Sequence, residues 1–358
     1  MNRGRDWGTR ISLLLVVGAS LGIAWRLSPR TAVPADEAAA PVDRREPDIH
    51  RSATGPAYSP RAAAPSSLEA LAAGAGRPGD GGVEPRAALY GAAAPSRSQA
   101  LPAALDQISD LSAGREPGSL WAVNDKDEKG TIYRIGIEHG AIAQTIDFAP
   151  PGDYEGIAAV GDEVIVARND GRLFRVDARK GTATTLETHL GPECNLEGLA
   201  WEPARKRLLM ACKSAMPKLP HARKSIGIYA LDLATGKVQE QPVIMVPRQA
   251  IDDYVGTHLD QPRLRPSMGD EFAPKALAVH PASGRIFLLS ARGTMLVVLE
   301  PGGALRQVVG LDPLANPQPE GLAFGPDGTM YVSNKSRGQR AHVVVYAALK
   351  GDSEPATR

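Results

Sequence analysis

The sequence predicts an all-β protein: a β-propeller of five four-stranded blades, or six, preceded by an N-terminal membrane helix and a disordered linker. Three observations carry that reading. First, a short phrase recurs as Tyr154-Glu155-Gly156-Ile157-Ala158, Leu196-Glu197-Gly198-Leu199-Ala200-Trp201 and Pro319-Glu320-Gly321-Leu322-Ala323-Phe324, each followed by a hydrophobic strand. Repetition of one unit marks an architecture built from copies. Second, from Leu105 onward the chain consists of short β-type runs punctuated by turn residues. Third, the long stretch before Leu105 is rich in Ala, Pro, Gly, Ser and Arg and poor in large apolar residues. It cannot bury enough surface to offset its ordering entropy.

The chain opens with Arg3, Arg5 and Arg10 ahead of an apolar run from Ile11 to Trp25, the n- and h-regions of an export signal. A bilayer span needs about 20 apolar residues. The run approaches that as a tilted helix if Leu27 is included and Arg26 snorkels. No small-x-small cleavage site follows directly, and Arg26 and Arg30 stand where cleaved signals avoid positive charge. A retained signal anchor over residues 1–27 is preferred to a cleaved signal. Under both readings the bulk of the chain is exported, and the anchored form is a single-pass inner-membrane protein with its head in the periplasm. Residues 28–104 then form a tether, roughly 50 Å end to end as a flexible coil. The propeller is placed at 105–348 and a disordered tail at 349–358.

Blade by blade, the simplest copy runs Gly156–Val160, turns at Gly161-Asp162, returns over Glu163–Ala167, turns at Asn169-Asp170-Gly171 into Arg172–Val176, and ends near Thr182–Leu186. Asp-Gly and Lys-Gly at the hairpin positions make this a four-stranded meander. The next copy pairs Leu199–Trp201 with Arg207–Ala211 and continues at Ile226–Leu231. Ala276–Val279 with Ile286–Leu289, and Gly321–Phe324 with Met330–Val332, form two more. A weaker first copy is Ser109–Ser112, Ser119–Val123 and Thr131–Ile135. The wide interval between the third and fourth copies has room for a sixth, degenerate blade. Five blades with long insertions is preferred, because Arg248–Phe272 is full of Asp, Pro, Gly and Arg and reads as loop.

A formal net charge of +1 argues against a nucleic-acid partner or a broad lipid-binding surface. Two cysteines and seven scattered histidines leave no zinc-type cluster. Cys194 and Cys212 flank one predicted hairpin nearly opposite each other, so a disulfide is expected in an oxidising periplasm, with two separate buried thiols as the alternative.

The phrases at 154–158, 196–203, Pro274-Lys275-Ala276-Leu277-Ala278-Val279-His280-Pro281 and Pro317-Gln318-Pro319-Glu320-Gly321-Leu322-Ala323-Phe324 arrive in one order, and over residues 105–348 the chain resembles the SdiA-regulated (YjiK-like) β-propeller proteins. More distantly it is similar to esterase-like phytase and strictosidine-synthase-type or gluconolactonase-type propellers. The resemblance implies an N-terminal membrane segment and calcium as a cofactor, with no established reaction. The chain departs from the family pattern at Ser109-Asp110 and Lys275-Ala276.

In a propeller the first strand of each blade lines the channel and the second returns beside it, so the start of one and the end of the next share a face. That places Glu155, Glu197 and Glu320 around one mouth, as candidate metal ligands, with Asn124, Asn169, Lys213, Ser290, Asn334 and Lys335 as candidate ligand-binding neighbours. Carboxylates and Asn carbonyls supply the oxygens calcium needs. Three facing glutamates repel unless a cation or a lysine neutralises them. Two readings stand: a cation or ligand site, or a repeated latch in which each Glu accepts hydrogen bonds from the next blade's backbone. Lys213 and Lys335 either pair with the ring glutamates, the preferred reading, or bind an anionic ligand. Asp125-Lys126-Asp127-Glu128 reads as a loop lacking the glycine and terminal glutamate of an EF-hand, and Asp252-Asp253, Asp260 and Asp270-Glu271 read as solvated loop charges, with part of a substrate lid as the alternative. The expected function is binding of a small molecule or protein at the mouth with calcium. The alternative is a metal-dependent hydrolase of the esterase, lactonase or phytase kind.

Overall fold

The computed structural model describes residues 94–214 and 224–349. The chain enters through β1 (Arg97–Ala100) and then builds its first blade from β2 (Ile108–Ala113), β3 (Ser119–Asn124), β4 (Gly130–Gly136) and β5 (Ala141–Ala149). The second blade is β6 (Tyr154–Val160), β7 (Glu163–Arg168), β8 (Leu173–Asp177) and β9 (Thr182–Leu186). The third is β10 (Leu196–Glu202), β11 (Arg207–Cys212) and β12 (Ser225–Asp232), whose outer edge is shared by β13 (Lys237–Val238) and β14 (Ile244–Pro247). The fourth is β15 (Pro274–Val279), β16 (Ile286–Ser290), β17 (Met295–Leu299) and β18 (Leu305–Gly310). The fifth is β19 (Pro319–Phe324), β20 (Met330–Asn334) and β21 (His342–Tyr346), with β1 as its outermost strand. The innermost strands β2, β6, β10, β15 and β19 touch in ring order, β19 returning to β2. The fold is an all-β propeller of five blades.

Alternation along each strand explains why blades stack. On β3, Leu120 and Ala122 join the apolar cluster shared with the fifth blade, while Trp121 and Val123 join the one shared with the second. The same division gives one buried apolar cluster at every blade–blade interface. β1 closes the ring by pairing antiparallel with β21, Arg97 opposite Val345 and Ala100 opposite His342. This moves the edge of the folded head into the stretch expected to be linker. The sequence Arg97-Ser98-Gln99-Ala100 carries no alternating pattern, and its strand is imposed by the partner edge. The anchor over 1–27 and most of the tether lie outside the described residues. None of the described helices is long and apolar enough to cross a membrane.

The interval between the third and fourth blades holds no sixth sheet among the described residues. It carries α1 (Arg248–Thr257) and α2 (Met268–Glu271) where loop was expected. Ile251 and Val255, one helical turn apart, are buried against the third and fourth blades. The charges around them are also committed: Asp252 Oδ1 accepts from the Gly269 amide at 2.8 Å, and Arg265 pairs with Glu271 at 2.5 Å.

Cys194 and Cys212 form a disulfide with their Cα atoms 4.8 Å apart, tying the entry of β10 to the end of β11. Both lie in the apolar cluster between the second and third blades.

Candidate cation and ligand site at the channel mouth

Every innermost strand begins with the same local device. Register with the second strand slips between Ile108 and Asp110, Tyr154 and Gly156, Leu196 and Gly198, Pro274 and Ala276, and Pro319 and Leu322. A bulge leaves one residue unpaired and re-aims its side chain. The equivalent residues are Ser109, Glu155, Glu197, Lys275 and Glu320, and all five are buried. The Glu-Gly pairing follows from crowding: a Cβ at Gly156 would stand 2.8 Å from the Glu197 carbonyl oxygen, and one at Gly321 would stand 2.7 Å from the Leu111 nitrogen.

Lys275 neutralises the ring from within. Its Nζ lies 3.0 Å from Glu155 Oε2, 2.5 Å from Glu197 Oε2 and 3.1 Å from Glu320 Oε2. Ser109 donates to Glu155 Oε2 at 2.6 Å, and Lys213 adds a second ammonium 2.6 Å from Glu197 Oε1. Burial alone would push the Glu155 carboxyl up, but the Lys275 charge and the Ser109 and Lys275 hydrogen bonds hold it below its usual range. Glu197 goes the other way: burial, against the Lys275 charge and helped by Glu155, pushes it up to about 7. Lys275 is desolvated, yet its three carboxylates raise its pKa above the usual lysine value.

The backbone latch expected of each ring glutamate is made instead by a single carboxylate, in the first blade alone. Asp110, next to the ring serine and fully buried, accepts from Ile157 N at 3.0 Å on one neighbouring blade and Leu322 N at 3.4 Å on the other. Burial raises its pKa well above the usual range, although those amides and the Leu111 amide pull it down.

A second set of acidic groups adjoins the ring. Ligand atoms of Asp125, Asp153 and Glu155 all lie within 4.8 Å of one another. Asp125 Oδ1 and Asp153 Oδ1 are buried oxygens with no hydrogen-bond partner, a costly state for a carboxylate. Their second oxygens are anchored: Lys335 holds Asp125 Oδ2 at 2.5 Å, and Asn169 donates to Asp153 Oδ2 at 2.7 Å. Burial, with Glu155 and Asp125 adding to it, raises the Asp153 pKa. Five carboxylates at the mouth (Asp125, Asp153, Glu155, Glu197, Glu320) are grouped with three lysines (Lys213, Lys275, Lys335), a formal excess of two negative charges when every carboxylate is ionised, apart from the exposed Lys126. A hard divalent cation fits that donor set and that charge.

The residues singled out from sequence thus divide. Glu155, Glu197 and Glu320 do converge, on Lys275, and Glu155 also belongs to the Asp125–Asp153 group. Lys213 pairs with the ring glutamate Glu197 as expected, whereas Lys335 pairs with Asp125 rather than with a ring glutamate, and Asn169 holds Asp153. Asn124, Ser290 and Asn334 stand one register position earlier and tie loops: Asn124 donates to Ala104 O at 2.7 Å, Ser290 to Arg292 O at 2.8 Å, and Asn334 Oδ1 accepts from Gln318 N at 3.2 Å. Sequence reasoning missed Lys275, Asp153 and Asp125. Lys275 was signalled by its place in the repeat, and Asp125 by following Asn124 at a strand end.

No family model matches the chain, and no curated protein does. Among solved structures, the glutaminyl cyclase of Myxococcus xanthus aligns with a TM-score of 0.48 at 12% identity over 72% of this chain and 97% of that one. The hydrazine synthase of Kuenenia stuttgartiensis gives 0.42 at 11% over 68% and 97%, and a luciferin-regenerating enzyme 0.38 at 13% over 68% and 95%. These likenesses carry nothing about the chemistry of the mouth.

Proposed function

We propose that this chain is a membrane-tethered periplasmic binding propeller of the SdiA-regulated type. It holds a divalent cation, calcium first among candidates, between Asp125, Asp153 and Glu155. The ion and the lysines beside it then hold an oxygen-rich small molecule or a partner's acidic group. The observation that carries the reading is that Asp125, Asp153 and Glu155 bring carboxylate oxygens within 4.8 Å of one another while each aspartate keeps one buried oxygen without a hydrogen-bond partner. Calcium takes six to eight oxygens, so three carboxylates leave room for ligand oxygens and water. The basic, apolar N-terminus supports the tether.

A second reading, metal-dependent hydrolysis of esters, lactones or phosphoesters, rests on Glu197. A carboxyl near pKa 7 beside a cation that polarises water suits a general base. Calorimetric titration of the full-length chain with calcium tests the shared premise. Saturable binding is expected in the wild type and none in a folded Asp125→Asn, Asp153→Asn double variant. Binding untouched by that double change would refute the site. Turnover of model esters by the calcium-loaded protein, abolished by Glu197→Gln, would select the hydrolase.

A further inference from the structure

The first and second blades carry arginines at equivalent positions, and only one of them has a counterion. Arg134 on β4 lies opposite Trp121, which lies opposite Ser112, three residues after the ring position Ser109. Arg175 on β8 lies opposite Ile165, which lies opposite Ala158, three residues after the ring position Glu155. Glu163 clasps Arg175 with both oxygens, at 2.8 and 2.7 Å. The residue equivalent to Glu163, two before Trp121, is Ser119. Arg134 has no ion pair among the described residues, and its buried Nε has no hydrogen-bond partner.

The space beside Arg134 is a cavity of ≈ 320 Å³ between these two blades, at the end of the channel away from the glutamate ring. Its walls include Trp121, Ala159 and Val164, and its other arginines are already engaged: Arg115 and Arg179 share Asp162, at 2.8 and 2.9 Å. The rim carboxylate without an ion pair among the described residues is the exposed Glu116.

We propose that this cavity is a second binding site, for a monocarboxylate with a compact apolar body. The ligand's carboxylate takes the place that Glu163 fills in the next blade, and its body lies against Trp121 and Val164. Guanidinium and carboxylate match as a two-pronged pair, and a small ligand of this kind fits the size of the cavity. The site is independent of the cation at the opposite mouth.

The test is saturation-transfer NMR of the full-length protein with phenylacetate, and with phenylacetamide as an uncharged control of the same shape. Phenylacetate is expected to bind saturably and the amide not at all. Arg134→Gln is expected to weaken binding about tenfold or more. Ser119→Glu supplies the missing carboxylate from within. It should abolish phenylacetate binding and raise the melting temperature, which shows that the variant is folded. Four results would overturn the proposal: no saturation by phenylacetate, equal binding of acid and amide, binding unchanged in both variants, or binding that appears only in Glu116→Gln, which would make Glu116 the counterion of Arg134.

Discussion

Replacing Lys275 by Met removes one charge from the centre of three. The ammonium sits 2.5 to 3.1 Å from carboxylates of Glu155, Glu197 and Glu320, and none of the four side chains is more than 11% exposed. At a separation of about 3 Å and an effective dielectric of about 20, each attraction is worth about 5 kcal/mol before desolvation. Desolvation of the buried ions cancels much of this, and removing one partner of a buried ion pair costs about 3–5 kcal/mol. Lys275→Met is expected to lose that much at pH 8, measured by urea unfolding. The pH dependence separates this cause from lost packing. Without the lysine the carboxyl pKa values rise above their unfolded values, so the folded variant binds more protons than the unfolded one. Its stability is then highest in acid and falls as pH rises through those raised values. The deficit against wild type should shrink between pH 8 and pH 5. A deficit of the same size at both, or one under about 1 kcal/mol at pH 8, would refute the electrostatic reasoning.

Calcium affinity should fall toward acid, because Asp153 carries a raised pKa and must be ionised to bind; calorimetry in buffers of different ionisation enthalpy should register proton release on binding. Reducing the Cys194–Cys212 bond, which closes 18 residues of sequence separation, should cost about 3 kcal/mol on the chain-entropy estimate, visible as a lower urea midpoint under reductant. Gly156→Ala should destabilise by about 1–3 kcal/mol, since its Cβ would meet the Glu197 carbonyl oxygen at 2.8 Å and the Leu199 Cβ at 2.9 Å. Deleting residues up to 100 should lower the melting point, because β21 then loses its outer partner; an unchanged melting point would mean β1 contributes nothing.

Much of the architecture was legible because the blade is a local object. Glu-Gly-Ile/Leu-Ala, a turn and an apolar return strand all lie within one stretch of sequence, and their repetition gave five blades and the common mouth. What escaped was non-local or broke the repeat. β1 is a strand only because β21 offers an edge. The neutralising cation of the ring stands in the repeat itself, as Lys275 in place of the glutamate, where a search for matching phrases sees a departure. Asp125 reads as one more loop charge until Lys335, far along the chain, is placed beside it. The strand-end positions were read one residue apart between blades, because the bulge after each inner strand's first residue was invisible in the sequence.

The most direct measurement is anomalous diffraction from crystals grown with manganese or calcium. The expected result is one peak bonded to oxygens of Asp125, Asp153 and Glu155, with Lys275 still seated among the three glutamates. A peak enclosed by Glu155, Glu197 and Glu320 with the lysine displaced, or no peak at the mouth at all, would contradict it.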